Sequence, residues 1–199
     1  GATPAVIEDR GGEKLVSVGA NQPLPGFLAW CAQNGLTGLE GLAGIPGSVG
    51  GAVAMNAGSY GCETGDCLSA VRVFSPGKGL EWLPRSETSL VYRHFTPCPE
   101  GAKGPEWFVI TEARFLLPCG EPADIKTAMR ENLRKKAATQ PISAASAGCV
   151  FKNPAPGISA GKLLDEAGFK GRRCGDMMFS DMHANFLINA GNGSSAEAM

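Results

Sequence analysis

Residues 143 to 154 read SAASAGCVFKNP, which places a thiol, Cys149, three residues before Lys152 and four before Asn153. A cysteine is most often a small hydrophobe with no chemistry of its own. Beside an ammonium and an amide that can hold an anion, it is a candidate acid, a candidate nucleophile or filler. A nucleophile needs a base partner, and the two histidines, His94 and His183, carry no motif that marks either as one. Lys152 by charge and Asn153 by its amide can hold a carboxylate or phosphates. Lys152 equally suits a solvated surface.

A second stretch, GLEGLAGIPGSVGGAVAMNAGSYG at 38 to 61, matches neither GxGxxG after a strand nor GxxxxGK[ST], so the common nucleotide loops are excluded. The backbone amides of Gly47, Ser48, Gly50 and Gly51 could still donate to a pyrophosphate, because bare backbone approaches an anion closely. The alternative is a compact loop filling space between sheets. Asn56 can contact a cofactor there or brace the turn through side-chain bonds to backbone. Arg93, in VYRHF at 91 to 95, offers a planar fork to a carboxylate; it also reads as a surface arginine at a strand end. His183 and Asn185 in HANF suit satisfied polar groups beside a strand, and KGRRCGD at 170 to 176 is a phosphate-attracting or simply solvated basic loop.

The elements that would position these residues follow from periodicity and breakers. Residues 5 to 9 and 13 to 18 predict a hairpin about Gly11-Gly12. PLPGFLAWCAQNG predicts a helix with Leu24, Phe27, Leu28 and Cys31 on one face and Gly35 as its stop. Residues 38 to 61 read as loop and turn. SAVRVFSP and WFVITEARFLLP alternate like half-buried strands, and ADIKTAMRENLRKKAA is the strongest helix, with Ile125, Met129 and Leu133 four apart. Beyond Pro141, CVFKNP predicts a short strand into a turn, SAGKLLDEAG a helix capped by Ser159 and stopped by Gly168, and HANFLINAG a final strand. The irregular order predicts an α+β fold, with a boundary near residue 140: domains 1–139 and 140–199.

Composition narrows the class. With 199 residues, 43% hydrophobic and 19% charged, the chain is long enough for a real core and reads as globular. A formal charge of -1 gives no strong field toward nucleic acid or membrane, and no apolar run approaches the roughly 20 residues of a spanning helix. The seven cysteines are odd in number, scattered and without a CxxC, which argues against zinc and against a disulfide scaffold. Reduced thiols in the cytoplasm are the expectation, and no metal is expected.

The loop at 38 to 61 resembles the flavin-binding loop of the UDP-N-acetylenolpyruvoylglucosamine reductase family. VYRHF, TQPISAASAGCVFKNP at 139 to 154, and AGKLLDEAGFKG followed by HANFLIN are similar to the same family in the same order. The resemblance implies a vanillyl-alcohol-oxidase/PCMH-type FAD-binding region over 1–139, then a small α+β substrate-binding domain over 140–199. It implies FAD held by Ile45, Pro46, Gly47, Ser48, Gly50, Gly51, Asn56, Ala57 and Gly58, with NADPH as reductant. The substrate would be UDP-N-acetylglucosamine enolpyruvate, met by Tyr92, Lys152 and Asn153, and the product UDP-N-acetylmuramate, a peptidoglycan precursor. A cytoplasmic monomer that engages neither membrane nor nucleic acid is implied as well.

In such a reaction negative charge builds on the carbon beside the enolpyruvyl carboxylate and spreads onto its oxygens. By the resemblance Arg93 stabilises that charge and Cys149, where many members have serine, protonates the carbon. Phe95 departs from the family's usual serine and bears on hydrogen bonding near Arg93. The resemblance also implies an earlier, GGGSN-like FAD-gripping segment and a later C-terminal carboxylate, both expected to be missing here, with Glu197 too early to serve as the latter. With 55 residues between Arg93 and Cys149 and no tyrosine among them, the shorter type without an extra substrate loop is expected. Two other readings stand beside this one: a different flavin oxidoreductase of the same fold, and a truncated sugar-nucleotide-binding remnant without turnover.

Overall fold

The computed structural model describes residues 3 to 194 and residue 196; Glu197 lies outside the described residues. The chain divides into two compact units, Gly1–Leu133 and Arg134–Met199. The first contains, in order, β1 (Ala5–Asp9), β2 (Glu13–Gly19), α1 (Leu24–Gln33), α2 (Val49–Ala54), β3 (Gly58–Ser59), β4 (Cys62–Glu63), α3 (Thr64–Cys67), β5 (Leu68–Ser75), β6 (Gly79–Pro84), β7 (Ser89–Val91), β8 (His94–Thr96) and β9 (Val109–Pro118). The helix α4 (Pro122–Thr139) runs across the division. The second unit carries β10 (Ser146–Cys149), α5 (Ala160–Glu166), β11 (Arg173–Cys174), β12 (Met177–Phe179) and β13 (Phe186–Asn189).

Unit one is built on an antiparallel sheet of order β1-β2-β9-β5-β6. Alternation along its central strands turns Val16 and Val18, Val71 and Val73, and Ala113, Phe115 and Leu117 into the core. Against them pack Leu24, Phe27, Leu28 and Cys31 of α1 and Val49, Ala52 and Val53 of α2, with the Phe27 and Phe115 rings 5.4 Å apart. Each valine, leucine and phenylalanine among them contributes about 1.5–3 kcal/mol by leaving water. Helix α1 ends in a left-handed glycine, Gly35 at φ +65°, while the Leu36 amide reaches back to the Cys31 carbonyl at 2.9 Å.

The stretch expected to be all loop contains a helix. Ser48 caps α2, its hydroxyl oxygen accepting the Gly51 amide at 3.2 Å. Two of the six α2 residues are glycine, each of which costs about 1 kcal/mol in a helix, so local propensity hides the element. Tertiary contact supplies what propensity lacks. The Gly50 amide donates to the Ala20 carbonyl at 2.8 Å, and a β-carbon at Gly50 would lie only 2.8 Å from that of Ala20.

Unit two is a four-stranded antiparallel sheet of order β10-β13-β12-β11. Ser159 caps α5 through the Lys162 amide, and Gly168 beyond it has φ +73°. Phe169 and Phe179 meet edge to face at 5.2 Å. The strand expected at CVFKNP lies earlier, at 146 to 149. The Val150 amide still donates to the Asn185 main-chain carbonyl at 2.9 Å, and past it the pairing passes to a side chain: the buried Asn185 accepts the Phe151 amide through Oδ1 and donates to the Phe151 carbonyl, both at 2.9 Å. An amide side chain thus takes the place of a strand partner, which periodicity in sequence does not register.

Candidate functional site

In unit one the site candidates gather where the glycine-rich stretch meets the β7–β8 hairpin. Val91 and His94 pair across a turn made by Tyr92 and Arg93. Arg93 takes φ +54°, Asn56 +37° and Tyr60 +53°, the three non-glycine residues with positive φ among the described residues. Left-handed backbone costs an L-residue roughly 1–2 kcal/mol, and such strain clusters where surrounding contacts enforce it.

Those contacts are specific. Arg93 donates from Nη1 to the Asn56 carbonyl at 3.1 Å and from Nη2 to the Gly58 carbonyl at 2.6 Å. Its guanidinium lies 3.5 Å from a Glu63 carboxylate oxygen and 4.9 Å from the centre of the Tyr92 ring. Asn56, 3% exposed, donates to Glu63 Oε2 at 2.7 Å and accepts the Gly65 amide at 2.9 Å. Asn56 therefore braces the turn with its side chain while its carbonyl anchors Arg93. Phe95 is buried, 5.7 Å from the Phe108 ring, so the position after the hairpin turn serves packing and Arg93 takes its support from the loop backbone.

Glu63 was not singled out by sequence reasoning. Its one signal is an acidic residue three before Asp66, the spacing of a reciprocal cap; the Glu63 amide donates to Asp66 Oδ2 at 2.7 Å.

The loop itself is partly committed. The Gly50 amide goes to Ala20 and the Gly51 amide to Ser48 Oγ, so two of the four amides considered for a pyrophosphate hold the loop in place instead. Gly47 has φ +104° and a β-carbon there would meet nothing within 4 Å. Pro46 and Gly47 are exposed, and Ile45 packs against the core. Bare, exposed backbone at Gly47 fits the approach of a large anionic cofactor, while Ser48 beside it is half-buried and pairs with Pro23. Ala57 is buried and Gly58 half-buried, both at the Arg93 end of the loop. A separate apolar cavity of about 490 Å³ between α1 and α4, lined by Leu28, Ala32 and Met129 among others, includes none of the candidate catalytic, cofactor or substrate residues named from sequence.

In unit two, Cys149 ends β10 opposite Phe186 and is exposed. Gly148 before it has φ +89°. Lys152 and Asn153 are exposed, and Asn153 Oδ1 accepts the Ala160 amide at 3.0 Å, tying the turn to the start of α5. His183 Nδ1 accepts the Asn185 amide at 3.2 Å and its ring meets Phe186 at 5.0 Å. Both HANF polar groups are satisfied within the fold. Among the described residues no cluster of three or more His, Cys, Asp or Glu could hold a metal, and no helix is long and apolar enough to cross a membrane.

Comparison with known proteins defines first a class: residues 3–81, from β1 into β6, match the family model "FAD binding domain". Residues 140–199 match "UDP-N-acetylenolpyruvoylglucosamine reductase, C-terminal domain". The chain is 56% identical over 98% of its length to UDP-N-acetylenolpyruvoylglucosamine reductase of Nitratidesulfovibrio vulgaris, and 52% identical over 93% to that of Oleidesulfovibrio alaskensis. It covers 64% and 60% of those proteins. The crystal structure of the Thermus caldophilus reductase superposes with a TM-score of 0.79 at 41% identity, covering 92% of this chain and 64% of that one. The chain belongs to the UDP-N-acetylenolpyruvoylglucosamine reductase family and spans a little under two thirds of the relatives it matches.

Proposed function

We propose that this chain works in the FAD-dependent, NADPH-driven reduction of UDP-N-acetylglucosamine enolpyruvate to UDP-N-acetylmuramate. The observation that carries the reading is the pair of hydrogen bonds from Arg93 to the Asn56 and Gly58 carbonyls. They tie the group suited to a substrate carboxylate to the loop suited to the cofactor.

FAD, when bound and reduced by NADPH, would supply hydride chemistry for the enolpyruvyl double bond. Ile45 to Ser48, Gly50, Gly51 and Asn56 to Gly58 would hold it, with Gly47 offering unshielded backbone and Gly50 and Gly51 fixing the loop. Arg93 faces the substrate carboxylate. Two of its five N–H groups are committed to loop carbonyls and Glu63 lies 3.5 Å away, which orients the fork before substrate arrives. Tyr92 lies against the guanidinium and confines it.

Cys149 gives the proton. An ordinary cysteine thiol, titrating near 8.5, is protonated at neutral pH yet releases its proton far more readily than an alcohol. Its exposed place at the end of β10 suits transfer to a bound ligand. Lys152 and Asn153 hold the substrate's carboxylate or phosphates by charge and by the amide N–H groups of Asn153, whose oxygen is already used on Ala160. The reading carries with it a cytoplasmic, monomeric protein whose partner is a sugar nucleotide, and a division of labour between 1–139 and 140–199.

The test is a visible spectrum under anaerobic conditions with FAD added, then NADPH, then the enolpyruvyl sugar nucleotide. A flavin band that bleaches with NADPH and returns with substrate supports the reading. Absence of flavin binding, with sugar-nucleotide binding retained, would replace it with a binding protein without turnover.

A further inference from the structure

Helix α3 has four residues, and a reciprocal cap builds it: Glu63 and Asp66 each accept the other's backbone amide. Such a cap fixes the chain's angle of entry so that the residue before the cap packs on the fourth residue of the helix, a contact made in most proteins by two apolar side chains. Here those two positions are Cys62 and Cys67. Both thiols donate to one carbonyl, that of Gly38, at 3.3 and 3.6 Å. Space for them comes from glycine on the facing segment. A β-carbon at Gly38 would lie 2.8 Å from Cys67 Sγ, and one at Gly41 would lie 2.6 Å from Cys62 Cβ.

Cys67 also lines a cleft of about 360 Å³ with Glu13, Asp66, Ser69 and Arg85. Neither thiol has a part in the chemistry above. We infer that Cys62 and Cys67 are an oxidisable dithiol, a modification site that a small peroxide closes into an intramolecular disulfide.

The step balances with hydrogen peroxide as oxidant. One sulfur takes an oxygen as the O–O bond breaks, giving a sulfenic acid and water. The second sulfur displaces that hydroxyl as a second water and forms the S–S bond. Two thiols lose two electrons, and one peroxide becomes two waters. Closure takes both S–H donors from the Gly38 carbonyl and pins Glu63 between the two sulfurs in sequence. Glu63 is the carboxylate that meets Asn56 at 2.7 Å and Arg93 at 3.5 Å, so the thiol state bears on the guanidinium's surroundings. Burial, reinforced by Cys62, Asp66 and Glu40, pushes the Cys67 thiol up to about 11. Closure is therefore slow at neutral pH and quickens in base.

The test is chemical and needs neither cofactor nor turnover. The protein is treated with hydrogen peroxide, quenched, unfolded in N-ethylmaleimide, and cut after glutamate, which severs the chain between Cys62 and Cys67 at Glu63. Mass spectrometry should find the fragments ending at Glu63 and beginning at Thr64 joined, two hydrogens lighter than their unlabelled sum, and separable by reductant. The join should be absent from Cys62→Ser. Maleimide on both thiols after peroxide, a sulfinic acid at either without the join, or a bond from Cys67 to Cys31 each overturns the inference.

Discussion

Arg93 Nη2 donates to the Gly58 carbonyl at 2.6 Å across 35 residues of sequence, and Nη1 does the same to Asn56 at 3.1 Å. The guanidinium is thus part of the loop's structure as well as a candidate for substrate charge. Arg93→Ala should lower stability by about 1.5–3 kcal/mol, the range for hydrogen bonds made by a charged group. With flavin bound, substrate-driven reoxidation should slow by about 10³-fold or more. Urea titration and stopped-flow absorbance read the two effects separately. Near-normal reoxidation in a folded variant would remove Arg93 from the chemistry.

Gly50 tests whether the loop's rigidity matters. A β-carbon there meets Ala20 Cβ at 2.8 Å, with the Ala20 carbonyl at 3.1 Å, and neither neighbour is a flexible tip that can swing aside. Gly50→Ala should cost about 1–3 kcal/mol of stability and weaken flavin binding by shifting α2. Gly47→Ala meets no neighbour but must hold φ +104°, so it should destabilise through backbone strain alone. Thermal melts with and without FAD distinguish the two variants.

These contacts mark where sequence was legible and where it was not. Helix α1 was readable because Leu24, Phe27, Leu28 and Cys31 recur at helical spacing and Gly35 stops them. The β1–β2 hairpin and α5 were readable for similar local reasons. Helix α2 was not, because its glycines argue against helix and its stability comes from Ala20 and the sheet. Family resemblance drew attention to Arg93 and the loop. It did not reveal that the two are bonded, nor that Glu63 joins them, since Arg93 reaches loop carbonyls 35 and 37 residues back along the chain.

Cys149 separates acid from filler. Cys149→Ala should leave reduction of bound flavin by NADPH unchanged while product formation stops; Cys149→Ser should keep appreciable turnover. Product is read by chromatography after a single anaerobic turnover. Full turnover in the alanine variant would return Cys149 to the status of a surface residue.

His183 predicts a pH dependence in unit two. Burial pushes its imidazole below the ordinary 6.5, and the charge of Lys170 acts in the same direction, against the backbone hydrogen bond that favours the charged form. The folded state thus prefers neutral His183, and the unfolded chain takes up the proton first as pH falls. The stability from this group is complete above about 6.5, declines below it, and stops declining once the folded imidazole protonates too. Its surroundings, Lys162, Lys170 and Asp165, line the same small cavity. His183→Asn, whose side-chain oxygen can still accept the Asn185 amide, should lose less stability between pH 7.5 and pH 5.5 than the parent. Urea midpoints at those two values decide it, and equal losses would show that His183 carries no such linkage.

Thiol reactivity should follow burial. Cys119, Cys149 and Cys174 are exposed, whereas burial pushes Cys31 up to about 12 and Cys67 up to about 11. Since only the thiolate attacks, a disulfide reagent at pH 8 should label the three exposed cysteines in a fast phase and reach Cys31 and Cys67 far more slowly. Raising the pH toward 10 should speed Cys67 before Cys31, because Cys67 titrates lower and opens onto a cleft. Unfolding in guanidinium should bring both into the fast phase. Peptide mapping of the labelled sites at successive times gives the order, and Cys31 labelling ahead of Cys67 would contradict the burial argument.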